Sequence, residues 1–304
     1  MSKKKKLKLK IKIKKKNFII FLVIIFLIIF SITKTTSFIV NTINEKKKEN
    51  EKVELSPKEK KLLQLKNIHK KIDYFNDSYL NRYINYQENN PTISTKQVIK
   101  DVNMNLDLTH YEDKIPARNL NNKFILVNKY YYLEEDYIPN DLEEINKQYA
   151  LNNMKMVKEA KEAFEEMSKE AKKEGLKIIA MSTYRDYAYQ TDLYNKYVKQ
   201  DGKEAADTYS GRPGFSEHQT GYAVDVYNDD ESYTNFHVTE EFKWMQEHAK
   251  EYGFILRFPE GKENETGYQY ESWHYRYVGL EAATYITEKN ITLEEYYATV
   301  IKDW

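Results

Sequence analysis

Two histidines and two acids stand where a hydrolytic metal centre could be assembled. His218 precedes Asp225 by seven residues on a loop carrying Gly214 and Gly221, and Tyr222 to Val226 reads as a strand. Strand alternation sends Tyr222, Val224 and Val226 to one face and Ala223 and Asp225 to the other, so the acid enters a core strand and needs a partner there. His274 lies 49 residues beyond Asp225, within Glu271-Ser272-Trp273-His274-Tyr275-Arg276. Two imidazole nitrogens and one carboxylate oxygen make a ligand set that binds zinc and leaves a fourth position open. Zinc in such a site brings the pKa of bound water to about 7, and a carboxylate that is not a ligand can take its proton and hand it to a leaving amine. Glu271, three residues before His274, suits that second task. On a regular strand the two side chains would point to opposite faces, so the spacing predicts a bulge at Ser272 or a Glu271 lying just ahead of the strand. Arg185, in Ser182-Thr183-Tyr184-Arg185-Asp186, can hold an oxyanion or a carboxylate by a planar two-pronged contact. Each stretch alone has an ordinary explanation: a histidine beside an aspartate is commonly a satisfied pair, and Tyr184-Arg185 could be a salt bridge to Asp186 or Glu217. His69, His110, His237 and His248 are assigned to such ordinary roles.

The surrounding pattern supplies elements to position these groups. Met156, Val157, Ala160, Ala163, Phe164, Met167 and Ala171 recur at three- and four-residue spacing and predict a long amphipathic helix stopped at Gly175. Leu176 to Met181 reads as a strand, followed by a second helix through Gln190, Leu193, Tyr194 and Tyr197. Thr239 can cap a third helix, with Glu240 and Glu241 in its first turn, ending at Gly253. Phe124 to Asn128, Phe254 to Phe258 and Ser272 to Val278 are further strand candidates. Helices and strands mix without regular alternation, which predicts an α+β fold with a mostly antiparallel sheet flanked by helices.

The charge balance is divided sharply along the chain. Residues 1–40 hold 11 lysines and no acid, which leaves residues 41–304 with 37 basic against 47 acidic groups, a net of −10. That balance argues against a nucleic-acid binder with a basic face. The chain has no cysteine, which rules out a disulfide scaffold, a thiolate-bound metal, a cysteine nucleophile and a lipidated cysteine. Ten lysines between residues 3 and 16 precede an apolar run from Phe18 to Phe30, continued by Phe38, Ile39 and Val40. No small-x-small cleavage pattern closes it, so residues 17–40 are expected to be an uncleaved transmembrane signal anchor behind a cytoplasmic flank, residues 1–16. A charged linker and small helical stalk are expected over 41–115, and the chemistry over 116–304, outside the membrane.

Taken jointly and in order, the three stretches resemble the LAS metallopeptidases, and among them the VanY-type D-alanyl-D-alanine carboxypeptidases of peptidase group M15B. The family's Tyr-Arg motif with a later Gln matches Tyr184, Arg185 and Gln190. Its Ser-x-His-x-x-Gly-x-Ala-x-Asp motif matches Ser216, His218, Gly221, Ala223 and Asp225, and Glu-x-Trp-His-x-Arg matches Glu271, Trp273, His274 and Arg276. Ser272 stands where relatives often have proline. The resemblance covers roughly residues 120–304 and implies a LAS/hedgehog-like zinc peptidase fold with one zinc ion held by His218, Asp225 and His274. It implies Glu271 as catalytic base and Arg185 as clamp on the transition state and substrate. Ser216 and Gln190 are implied on the terminal D-Ala carboxylate, with Tyr184 beside them. The implied enzyme is a metal-dependent member of the D-Ala-D-Ala carboxypeptidase activity class otherwise labelled serine-type. Its partner is a peptidoglycan stem peptide ending in D-Ala, its place a single-pass cell-membrane protein with an extracytoplasmic domain. An L,D-carboxypeptidase trimming tetrapeptide stems shares every motif, and a non-catalytic peptidoglycan-binding module is the alternative outside enzymology.

Overall fold

The computed structural model describes residues 24–27, 30–31, 33–37, 40–42, 72–229 and 233–301, and the chain divides into two units, residues 1–61 and 62–304. In the first unit the described residues are helical. No helix among the described residues is long and apolar enough to cross a membrane, and much of the expected span over 17–40 lies outside them.

The second unit opens with helices α1 (Leu80–Asn89) and α2 (Thr95–Asn103), the latter capped by the Ser94 side chain, which accepts from the Gln97 N–H. Tyr83, Ile84, Val98, Ile99 and Val102 form a small core between them. Asn103 donates to the Ala298 carbonyl at 3.0 Å and Asn105 to the Tyr131 hydroxyl at 2.9 Å, which fastens this pair of helices to the remainder of the unit. Short strands come next: β1 (Ile115–Pro116) beside β2 (Tyr131–Tyr132), and β3 (Leu142–Glu144) antiparallel to β4 (Lys155–Val157). Residues 124–128, expected as a strand, pair with no described strand. The carbonyl of Ile125 is taken by the Arg276 guanidinium at 2.6 Å, and a side chain has replaced the ladder.

Helix α3 (Lys158–Lys173) follows β4 directly and buries Ala160, Phe164, Met167 and Ala171, the stripe read from the sequence. It packs against the main sheet, whose strand order is β5 (Ile179–Ser182), β6 (Ala223–Tyr227), β8 (His274–Tyr277), β7 (Phe254–Leu256), antiparallel throughout. Between β5 and β6 lie α4 (Tyr187–Asp201) and α5 (Lys203–Tyr209). Helix α6 (Glu240–His248), which precedes β7, starts where the Thr239 hydroxyl accepts from the Phe242 N–H, as its sequence predicts. Helices α7 (Leu280–Lys289) and α8 (Leu293–Thr299) pack Ala282, Ala283, Ile286, Leu293 and Tyr297 on Leu126, Tyr130 and Ile255.

The sheet has two chemically different faces. Val224, Val226 and Tyr275 join Phe164 and Phe254 in the main apolar core. The opposite face carries Asp225, His274 and Arg276, with Asp225 directly across from His274 and Ala223 from Arg276. Opposed residues on neighbouring strands share a face with Cβ atoms about 5 Å apart, so the register itself brings the acid to the imidazole.

Candidate metal centre

His218 reaches that face from a short 3₁₀ turn, Glu217–Thr220, which ends at Gly221 in the left-handed conformation (φ 74°). A Cβ there would meet Val157 Cγ2 at 2.9 Å and Leu142 Cδ2 at 3.1 Å, so both the backbone sign and the space call for glycine between His218 and β6. The Nδ1 of His218 lies 2.7 Å from the Thr183 carbonyl, just past β5, which leaves Nε2 as the nitrogen turned to the sheet. Nε2 is 3.2 Å from Asp225 Oδ2, and His274 Nδ1 is 3.0 Å from Asp225 Oδ1. Ligand atoms about 2.0–2.1 Å from a tetrahedral zinc stand about 3.3 Å apart, close to both separations. His218, Asp225 and His274 all bury their side chains and present ligand atoms within 4.8 Å of one another. Asp225 Oδ1 is sealed from solvent and makes no hydrogen bond with any described group, although Nδ1 is near, and a buried carboxylate oxygen left this way suits a cation. The residues present fit one zinc ion.

Glu271 lies just ahead of β8, the second of the two expected arrangements, and no bulge at Ser272 is needed. Its Oε2 is 3.6 Å from His274 Nδ1. Arg185 bonds Ser182 Oγ at 2.9 Å and Gln190 Oε1 at 3.4 Å, and its Nη2 pairs with Asp225 Oδ2 at 2.7 Å. Gln190, fully buried on α4, donates to the Gly211 carbonyl at 2.7 Å. Together with Ser216, Tyr197, Tyr209, Tyr233, Phe258 and Trp273 these groups line one cleft of about 480 Å³. Of the site residues expected from the sequence, Tyr184 alone is absent from its lining. Burial, with Asp186 and Tyr137 near, raises the Tyr184 phenol above its ordinary value.

Sequence reasoning offered Glu217 only as a partner for Arg185, which pairs with Asp225 instead, and passed over Arg257. Glu217 Oε1 accepts from Arg257 Nε at 2.8 Å and Arg276 Nη1 at 2.9 Å, and Arg257 reaches on to both oxygens of Glu294 on α8 at 2.9 and 2.6 Å. All four side chains are fully or almost fully buried. The available signal was Arg257 within Phe254-Ile255-Leu256-Arg257-Phe258, because an arginine amid a buried apolar run requires an acid.

Electrostatics divides the cluster. Burial, helped by the Arg185 charge, pushes His218 down to about 4. Burial alone would lower His274 too, but Asp225 and Glu217 outweigh it and raise it to about 9. Burial would raise Asp225, yet His218, His274 and Arg185 hold it well below the usual range. Glu271 is raised to about 8, chiefly by burial. For His274 and Glu271 the folded value exceeds the unfolded one, so their contribution to metal-free stability is complete at low pH and is lost as pH rises through about 8 to 9. Zinc must displace the His274 proton, so its affinity is expected to climb about tenfold per pH unit from 6.5 to 9. Competition against a chromophoric chelator measures this; a flat profile refutes it.

The sequence model of the VanY family, D-alanyl-D-alanine carboxypeptidase, matches residues 153–280. YodJ of Bacillus subtilis (strain 168) is 41% identical over 198 residues, 61% of this chain and 70% of that protein. The solved LdcB LD-carboxypeptidase, a structure described as revealing the basis of peptidoglycan recognition, superposes with TM-score 0.59 at 37% identity, covering 64% of this chain and 94% of that one. A variant of the vancomycin resistance D,D-pentapeptidase VanY, solved with Zn(II), does so with TM-score 0.50 at 33% identity, covering 57% and 98%. The cofactor is one zinc ion, and the carboxypeptidase activity is metal-dependent, so the serine-type label does not apply. With the fold, the ligand set and these likenesses in agreement, the chain belongs to the VanY-type D-alanyl-D-alanine carboxypeptidases.

Proposed function

We propose that the chain is a membrane-anchored D,D-carboxypeptidase that removes the terminal D-alanine from peptidoglycan stem peptides. The observation carrying this reading is the meeting of His218, Asp225 and His274 with Glu271 and Arg185 in one cleft. His218 through Nε2, Asp225, and His274 through Nδ1 hold the metal. When bound there, zinc would supply Lewis acidity toward water and the scissile carbonyl. Glu271 takes a proton from the attacking water and returns it to the departing amine nitrogen. Its burial suits a group that must hold and release a proton near neutrality. Arg185, steered by Ser182, Gln190 and Asp225, steadies the developing oxyanion or the substrate's carboxylate, and Ser216 and Gln190 frame that carboxylate at the cleft wall.

The same proposal places residues 1–16 in the cytoplasm, the anchor over 17–40, a linker and stalk over 41–115, and the enzyme over 116–304 in the extracytoplasmic space. It is supported by the lysine-flanked apolar run and by the hydroxyls of Thr33, Thr35 and Thr36. These donate to the carbonyls of Phe30, Ser31 and Thr33, at 2.9, 2.7 and 3.0 Å, so that polar side chains are satisfied within the helix as lipid demands.

An L,D-carboxypeptidase acting on tetrapeptide stems is the second reading, favoured by the likeness to LdcB. Defined penta- and tetrapeptide muropeptides, digested with and without chelator and weighed by mass spectrometry, separate the two. Chelator-sensitive loss of one alanine from the pentapeptide alone is expected; loss from the tetrapeptide alone transfers the assignment, and loss from neither overturns both.

A further inference from the structure

The two nitrogens of His274 face opposite partners. Nδ1 looks toward Asp225, while Nε2 looks away from it toward Glu217 Oε2, 3.5 Å distant. Both Nε2 and Oε2 are sealed from solvent, and neither has a hydrogen-bond partner among the described residues. A buried imidazole N–H and a buried carboxylate oxygen facing each other are complementary, and a shift of a few tenths of an ångström joins them.

Glu217 has little freedom to turn elsewhere. Its Oε1 is fixed by Arg257 Nε and Arg276 Nη1. Arg257 is fixed in turn by the two-pronged pair with Glu294, whose Oε1 also accepts from Asn128 Nδ2 at 3.1 Å. Arg276 directs its remaining donors to the carbonyls of Lys123, Ile125 and Tyr277. A rigid chain of charge-assisted bonds therefore runs from α8 to the far side of His274.

We infer that Glu217 is a positioning residue of the metal centre. Its Oε2 accepts the Nε2 proton of His274 and so keeps Nδ1 unprotonated toward the metal, with Arg257 and Glu294 holding Glu217 in place from α8. A neutral imidazole carries one proton on one of two nitrogens, and the partner of one decides the availability of the other. The inference rests on the zinc reading and adds a residue to it.

The substitution Glu217→Gln separates this role from mere neutralisation of two arginines. Arg257 and Arg276 claim the amide oxygen, so the NH₂ group turns to His274 Nε2 and donates to it. The imidazole proton is then driven to Nδ1, the nitrogen needed for zinc. Zinc affinity, measured by chelator competition, is expected to fall about 10- to 100-fold. The ¹⁵N imidazole spectrum of the metal-free protein at high pH is expected to change from Nε2–H in the wild type to Nδ1–H in the variant, which a purely structural role does not produce. Equal zinc affinity, or Nε2–H in both proteins, overturns the inference. A wild type that binds no zinc overturns the zinc reading and this inference with it. Should Glu217→Gln fail to fold, Glu294→Gln is measured instead. It leaves Glu217 in place but loosens Arg257, and is expected to weaken zinc binding severalfold; unchanged affinity there also overturns the inference.

Discussion

Replacing Glu271 by glutamine is expected to lower kcat on a pentapeptide stem by about 10²–10⁴-fold while one zinc per chain is retained. The glutamine keeps the shape of the side chain beside His274 but can neither accept the proton of the attacking water nor pass it to the leaving amine. Glu271 is buried at the cleft wall and outside the ligand set, so metal content reports on His218, Asp225 and His274 and kcat reports on Glu271. Steady-state kinetics with zinc analysis on the same preparation gives both numbers. Wild-type kcat in a zinc-replete variant removes Glu271 from the mechanism; loss of zinc along with activity makes it part of the metal site instead.

The second large effect concerns stability. Arg257→Ala removes the cation shared by Glu217 and Glu294 and leaves two acids buried with poorer compensation, Glu217 retaining Arg276 and Glu294 retaining Asn128. Breaking a buried ion pair by deleting one partner costs about 3–5 kcal/mol, and the guanidinium's volume is lost as well. For a unit of this size that corresponds to a fall in Tm of roughly 6–20 °C. Chemical denaturation of the metal-free protein is the measurement, so that zinc does not mask the loss. A change below about 1 kcal/mol, the range of exposed pairs, shows that the network is screened by water.

The chemistry was more legible than the scaffold that holds it. His218, Asp225 and His274 could be named once the three stretches were taken jointly and in order, although each alone has an ordinary reading, and the pairing of Asp225 with His274 bears out the alternation read along β6. The stripe Ala160, Phe164, Met167, Ala171 was equally readable, since helical periodicity is local. Long-range polar pairing is not local. Glu217, Arg257, Arg276 and Glu294 meet across 37 to 59 residues of chain, and no spacing rule links them. The same cause defeated the strand expected at residues 124–128, whose apolar run was legible but whose carbonyl partner, Arg276, lies 151 residues away.

The pairing of Arg257 with Glu294 also couples the far end of the chain to the site. Arg257 bridges Glu217, the neighbour of His218, and Glu294 on α8, so the last helix is joined through one guanidinium to the turn that carries a metal ligand. A segment that supplies no metal ligand therefore still bears on the pocket, because shortening the chain before Glu294 would strip Arg257 of its two-pronged acid and leave Glu217 to balance it.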